Sequence, residues 1–193
     1  MKIGKCKLAI FASGSGSNAE AIMKHFISQP RIEVSVIYTN NAKAFVIERA
    51  KKFNVPSIVF KKSDFTRAEF VREIRALDID LLILAGFMWL VPPSIVSAFN
   101  NRIINIHPAL LPNYGGKGMY GHHVHEAVIK NKEIESGITI HYVNEYYDDG
   151  DVIFRAKCAV TTSDTADTLA EKIHLLEHWH YPKVIQKICD KFL

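Results

Sequence analysis

The sequence predicts an α/β fold: one domain over residues 1–193, built on a doubly wound, mostly parallel sheet with an antiparallel C-terminal portion and a long C-terminal helix. Three observations carry that prediction. Between residues 8 and 85, short apolar or β-branched runs alternate with segments of helical period, the pattern of linked βαβ units. The run Leu81-Leu82-Ile83-Leu84-Ala85 is apolar on both faces, as a central parallel strand must be. Past residue 135 the pattern changes to two strands around one turn, followed by helical period almost to the C-terminus.

In chain order, residues 8–12 form the first strand. Lys2, Lys5 and Lys7 precede it, but the apolar stretch is shorter than the core of a signal peptide and runs directly into a Ser-Gly loop. Helix over 18–28, strand over 33–38, helix over 44–53, strand over 57–60, helix over 67–77 and strand over 81–85 follow from the alternation. Arg102-Ile103-Ile104 enters a further buried strand, which Pro108 stops by removing a ladder donor. Gly115, Gly116, Gly118 and Gly121 predict a mobile or ligand-covering loop before a helix over 123–131. Strands over 136–143 and 152–160 flank the turn 144–150. The terminal helix, 165–192, is expected to be interrupted and kinked near Pro182, where an N–H is missing and the ring meets the preceding turn.

Composition excludes several classes. With 48% hydrophobic and 23% charged residues the chain reads as an ordinary globular domain, and no stretch approaches membrane-spanning length. The net charge of +4 suits small anionic ligands, but no dense basic stripe with interleaved aromatics points to nucleic acid; Lys51-Lys52 and Lys61-Lys62 read as solvated faces. Cys6, Cys158 and Cys189 are odd in number and lack C-x-x-C spacing, which fits a reducing cytoplasm.

Asn105 and His107 carry the chemistry. Side chains on a strand alternate faces, so these two point the same way while Ile106 points opposite. An amide donor beside a titratable donor is what a developing oxyanion needs. Ser13-Gly14-Ser15-Gly16-Ser17-Asn18 lies between the first strand and first helix, where close backbone approach and the helix dipole make an anion site. With Ala19 it also satisfies the dinucleotide fingerprint, but the acidic residue expected at the tip of the second strand is replaced by Tyr38-Thr39-Asn40-Asn41. A mononucleotide or sugar phosphate is therefore favoured over NAD.

Asp148-Asp149-Gly150-Asp151 lacks the ligand spacing of a calcium loop. One of its carboxylates facing His107 would raise the imidazole pKa by about 1 to 3 units and keep it protonated near neutrality, as a general acid. His122, His123 and His125 form one histidine cluster and His174, His178 and His180 another, but no cysteine or H-E-x-x-H pattern accompanies them. Structural or solvent-facing roles are expected, with no metal.

Gly14-Ser15-Gly16-Ser17-Asn18, Leu84-Ala85-Gly86-Phe87-Met88, Asn105-Ile106-His107-Pro108 with Leu110-Leu111-Pro112, Gly137-Ile138-Thr139-Ile140-His141 and Asp148-Asp149-Gly150 stand in order across nearly the whole chain. Together they resemble the phosphoribosylglycinamide formyltransferases, folate-dependent enzymes of purine synthesis. The resemblance implies a Rossmann-like formyltransferase fold and a catalytic trio of Asn105, His107 and Asp148. It implies ribonucleotide binding by Gly16, Ser17, Asn18 and Glu177. It places the folate at Met88, Trp89, Leu90 and Val91, at Asn105, and at the turn Asn144, Glu145, Tyr146, Tyr147 and Asp148, with a further contact from Arg67. Trp89 stands where many members carry arginine, so any contact there passes to the backbone. No individual role transfers to the variable loop 114–123.

The implied reaction moves a formyl group from 10-formyltetrahydrofolate, a co-substrate needing no metal, to the amine of glycinamide ribonucleotide. It implies a cytoplasmic monomer or homodimer with no nucleic-acid or membrane partner. Methionyl-tRNA formyltransferase and formyltetrahydrofolate hydrolase share the superfamily but carry an additional domain, which is not expected for a chain running from first strand to last helix. A sugar-nucleotide formyltransferase shares the Asn, His, Asp arrangement. A non-catalytic nucleotide-binding module would account for the glycine loop but not for the trio.

Overall fold

The computed structural model describes residues 4–193, leaving Lys2 outside them. Its seven strands are β1 (Cys6–Phe11), β2 (Ile32–Thr39), β3 (Ser57–Val59), β4 (Leu81–Leu84), β5 (Ile103–His107), β6 (Glu135–Tyr142) and β7 (Val152–Ala159). They form one sheet in the order β3-β2-β1-β4-β5-β6-β7. β1 to β5 pair in parallel, whereas β6 and β7 are antiparallel additions at the β5 edge. The sequence-based fold class is thus realised, with the expected antiparallel C-terminal portion.

Alternation within β1 sorts side chains to two cores. Leu8 and Ile10 face α1 (Ser17–Phe26) and α7 (Ala166–Cys189), where they meet Ile22, Phe26, Ile173 and Ile185. Ala9 and Phe11 face α4 (Ala68–Ala76) and α5 (Pro93–Ala98), where they join Tyr38, Phe70, Ile74 and Ile95. Helices on both faces are what a strand apolar on both sides requires. The remaining helices are α2 (Val46–Lys52), α3 (Lys62–Phe65) and α6 (His122–Lys130). Among the described residues, no helix is long and apolar enough to cross a membrane.

Two short helices depart from the sequence reading. α3 is a single turn of 4 residues, too short to show a period. α5 begins at Pro93 after Pro92, using proline at the first helical position, where its missing N–H costs nothing. A third departure corrects the expected break in the terminal helix: α7 runs its 24 residues through Pro182 without interruption. Tertiary packing outweighs the lost bond there. Tyr181, Pro182 and Ile185 are buried, and the Tyr181 hydroxyl donates to the carbonyls of Leu84 (3.0 Å) and Ile104 (3.1 Å), tying the helix to two strands.

β1 and β4 are adjacent in space although β2 and β3 intervene in sequence. The chain turns to opposite sides of the sheet from these two strands, leaving a crevice at their carboxyl ends, where open α/β sheets bind ligands. The loops leaving them are bonded to each other: Ser13 N–H donates to the Gly86 carbonyl (3.0 Å), and Met88 N–H to the Ser13 hydroxyl (3.1 Å).

Candidate active site

The crevice opens into a cavity of about 530 Å³. On its β5 wall, Asn105 and His107 share a face as strand alternation requires, and both approach Asp148. Asn105 Nδ2 lies 3.5 Å from Asp148 Oδ1, and His107 Nδ1 lies 3.5 Å from Oδ2. Asp148 holds a left-handed backbone (φ 54°) in the β6–β7 turn and accepts the Gly116 N–H at 2.9 Å, so the glycine-rich loop is anchored to it. Behind Pro108 the chain is pinned by Thr139. Its hydroxyl accepts from Leu111 N–H (3.0 Å) and donates to the Ala109 carbonyl (2.7 Å).

The ring nitrogens can be assigned from their partners. His107 Nε2 faces the Tyr114 carbonyl at 2.7 Å and must carry a proton to do so. His141 Nδ1 faces the Tyr142 carbonyl at 2.8 Å, which leaves Nε2 as an acceptor for the Asn105 amide at 3.1 Å. His141 also sits 3.7 Å from Asp148 Oδ1. The sequence motif contained His141 but gave it no role; its pairing across the sheet with Asn105 supplies one.

Burial corrects the expected charge of His107. Desolvation pulls its pKa down, the Asp148 carboxylate and Tyr114 carbonyl pull it up, His141 pulls it down again, and the net direction is below the ordinary value. Without ligand the imidazole is therefore neutral near pH 7, not an acid held protonated by Asp148. Asp148 itself is pushed up by burial, but the neighbouring His141 and His107 rings and the Gly116 N–H outweigh this and hold its carboxyl below the usual range.

At the opposite end of the cavity lies the loop into α1. Gly16 caps α1 in the left-handed region (φ 71°), and a Cβ there would run into the Val46 side chain, so both the conformation and the packing demand glycine. Asn18 and Glu177 meet over this loop, Nδ2 donating to Oε2 at 2.9 Å. Both are buried; burial pushes the Glu177 pKa up to about 7, against the pull of the Asn18 amide.

Most expected ligand-binding residues line this cavity: Gly16, Ser17, Asn18 and Glu177 at one end, Met88 to Val91 with Tyr146 and Tyr147 at the other. Three do not. Arg67 sits at the exposed start of α4, paired with Asp64 at 2.9 Å, and the structure does not bring it to the cavity. Asn144 shapes the turn instead, accepting Tyr146 N–H (2.9 Å) and donating to Asp149 (3.1 Å); Glu145 also lies off the lining. Trp89, in place of a cation, joins an aromatic cluster, 5.9 Å from the Phe60 ring and 6.1 Å from Phe87.

The histidine clusters divide. His122 and His123 are exposed beside Glu126, and the His174 and His178 rings stack at 6.0 Å. His125 and His174, however, line the cavity, which the sequence reading missed. His125 is buried, with its pKa pushed down to about 4 by burial and by His174, His122 and His107. Among the described residues, no group of three or more His, Cys, Asp or Glu is gathered as a metal ion would need.

Residues 6–185 match the family described as formyl transferase. The chain belongs to that family. It is 38% identical over 193 residues to a chloroplastic phosphoribosylglycinamide formyltransferase of Arabidopsis thaliana, covering 96% of this chain and 66% of the relative. It thus spans slightly less than two thirds of that plant protein. It is 37% identical to the phosphoribosylglycinamide formyltransferase of Bacillus subtilis, covering 94% of each chain. Among solved structures it superposes on the phosphoribosylglycinamide formyltransferase of Bacillus halodurans with a TM-score of 0.87 and 36% identity, covering 97% of each chain. The matched residues 6–185 take in all seven strands of the sheet.

Proposed function

We propose that this chain transfers the formyl group of 10-formyltetrahydrofolate to the amine of N1-(5-phospho-D-ribosyl)glycinamide, yielding formylglycinamide ribonucleotide and tetrahydrofolate in purine synthesis. It acts on these two small molecules as a monomer or homodimer in the cytoplasm. The observation that carries the reading is the convergence of Asn105, His107 and Asp148 on one wall of a cavity that has a glycine-loop helix start at its other end.

In this reading the ribonucleotide phosphate meets the backbone N–H groups of the loop at Gly16 and Ser17, with Asn18 and Glu177 beside the sugar. The folate lies between the β4 loop and the β6–β7 turn. The amine attacks the formyl carbon; the carbonyl π electrons move to oxygen, where the Asn105 amide donates and the positive charge that His107 takes up stabilises the oxyanion. A single donor of this kind is worth about 100-fold to 1000-fold in rate.

His107 starts neutral with its proton on Nε2, so Nδ1 is free to take a second proton facing Asp148. The proton shed by the attacking amine thus passes to the His107–Asp148 pair, directly or through water. The imidazolium that results is held between a carboxylate and a carbonyl while it faces the oxyanion. Collapse breaks the bond from the formyl carbon to the folate nitrogen, which takes the proton. Burial that keeps His107 neutral at rest is what leaves it able to accept a proton at working pH.

The absorbance change as formylated folate, or a dideaza analogue, loses its formyl group tests the reading. It should require the ribonucleotide acceptor; loss of formyl without acceptor identifies a hydrolase instead. His107→Ala and Asp148→Asn should each lower kcat by about 100-fold or more while calorimetric ribonucleotide affinity holds. Near-normal turnover in His107→Ala refutes its role.

A further inference from the structure

The glycine loop is held from behind by α2 at two successive peptides. Val46 N–H donates to the Gly14 carbonyl (3.2 Å), and Arg49 Nε–H donates to the Ser15 carbonyl (2.9 Å). A trans peptide points its C=O and its N–H in opposite directions. Each carbonyl drawn towards α2 therefore turns the N–H of the following residue away from it. The N–H groups so turned belong to Ser15 and Gly16, which line the cavity, and among the described residues neither is used in a backbone hydrogen bond. Successive N–H groups aimed one way make an anion-binding concavity.

Val46 acts through its backbone and by filling the space that Gly16 leaves open. The second peptide depends on a side chain, and Arg49 is fixed for that task. Its guanidinium pairs with Glu20 on α1 and lies over the Phe45 ring, 5.0 Å from the centroid, with only 20% of the side chain exposed. One planar group thus spans α2, the loop and the helix the loop opens. A lysine could pair with Glu20 but has no second donor in a fixed plane for Ser15.

We propose that Arg49 is the positioning residue of the ribonucleotide phosphate site: it holds the Ser15 carbonyl on the α2 side and so presents the Gly16 N–H to the phosphate. It touches neither substrate. The proposal rests on the reading of this loop as the phosphate site.

The experiment compares Arg49→Ala, Arg49→Lys and the parent protein on glycinamide ribonucleotide and on the same acceptor lacking its phosphate. Loss of one charge-assisted hydrogen bond corresponds to a rise of about 10-fold to 100-fold in ribonucleotide KM for Arg49→Ala, with a smaller rise for Arg49→Lys. kcat at saturation, the KM for formylated folate, and kcat/KM for the dephosphorylated acceptor should stay near parent values, so that the preference for the phosphorylated acceptor collapses. If kcat/KM falls by the same factor for both acceptors, Arg49 is merely structural and the proposal fails; an unchanged ribonucleotide KM in Arg49→Lys and Arg49→Ala overturns it too. Calorimetry with ribose 5-phosphate keeps this separate from the transferase reading. A parent protein that binds ribose 5-phosphate more tightly than Arg49→Ala, yet moves no formyl group, upholds the positioning role and removes the reaction, whereas equal affinities remove the positioning role.

Discussion

Glu177→Gln should stabilise the protein, and more so as the pH rises. The Glu177 carboxyl is buried against Asn18, and burial lifts its pKa from 4.5 to about 7. In the folded state it holds a proton through an interval in which the unfolded chain has already lost one. Its stabilising contribution is therefore complete below pH 4.5 and is lost as the pH climbs through 7, leaving a buried carboxylate at pH 8. At about 1.4 kcal/mol per pH unit, the interval corresponds to about 3 kcal/mol. Glutamine keeps the shape and a hydrogen-bonding partner for Asn18 without the charge. For a chain of this length that difference is about 6–12 °C in melting temperature at pH 8, shrinking towards zero near pH 5. Thermal melts of variant and parent at both values test this, since the other titrating groups cancel in the difference. A melting-temperature difference that does not grow with pH refutes the reasoning. The gain should carry a functional penalty: at pH 8 ribonucleotide affinity should fall about tenfold, because an acceptor that is ionised at that pH beside the sugar has become a neutral amide.

Two further substitutions separate fold from chemistry. Thr139→Val leaves the Leu111 N–H and the Ala109 carbonyl without partners in a buried site, a loss of about 2–5 kcal/mol that should appear as a melting temperature lower by about 5–15 °C and a reduced kcat; a variant as stable as the parent would show that the segment after Pro108 is held by something else. His141→Ala frees the Asn105 amide and removes a neighbour that holds the Asp148 carboxyl down. kcat should fall about tenfold, and the acid limb of its pH profile should move to higher pH while ribonucleotide affinity stays level. An unmoved profile would leave His141 as packing alone.

Sequence made the site legible where periodicity sufficed. Alternation alone set Asn105 and His107 on one face, and the apolar run of β1 ending in glycines located the anion-binding loop. What it could not reach depends on contacts distant in the chain. The charge of His107 turns on how much water the fold removes, and no local pattern encodes that; Asp148 beside it was visible, the desolvation was not. Pro182 obeyed the packing of α7 on β4 and β5 instead of its own backbone preference. His125 and His174 meet in the cavity because α6 packs beside α7, a juxtaposition that their spacing does not announce. Arg67, placed by motif analogy, is instead engaged by Asp64 within its own turn. Pro92-Pro93 was a readable helix start that periodicity passed over.

The β5–β6 register shows why site geometry and folding fidelity are one constraint here. Residues paired across antiparallel strands share a face, and the pairs Asn105 with His141 and His107 with Thr139 are all polar, whereas Ile104 with Tyr142 and Ile106 with Ile140 are apolar or aromatic. The isoleucines belong to the core under α1 and α7. A slip of one residue would turn one strand over, driving either Asn105 and His107, or Thr139 and His141, into that core and exposing its isoleucines. Burial of Ile104, Ile106 and Ile140 therefore enforces the register. The register in turn brings His141 to Asn105, Thr139 to the chain behind His107, and the β6–β7 turn with Asp148 to both. The donors of the site are aligned by an apolar surface on the far side of the sheet, so a substitution there that loosens β6 should cost turnover before it costs ligand binding.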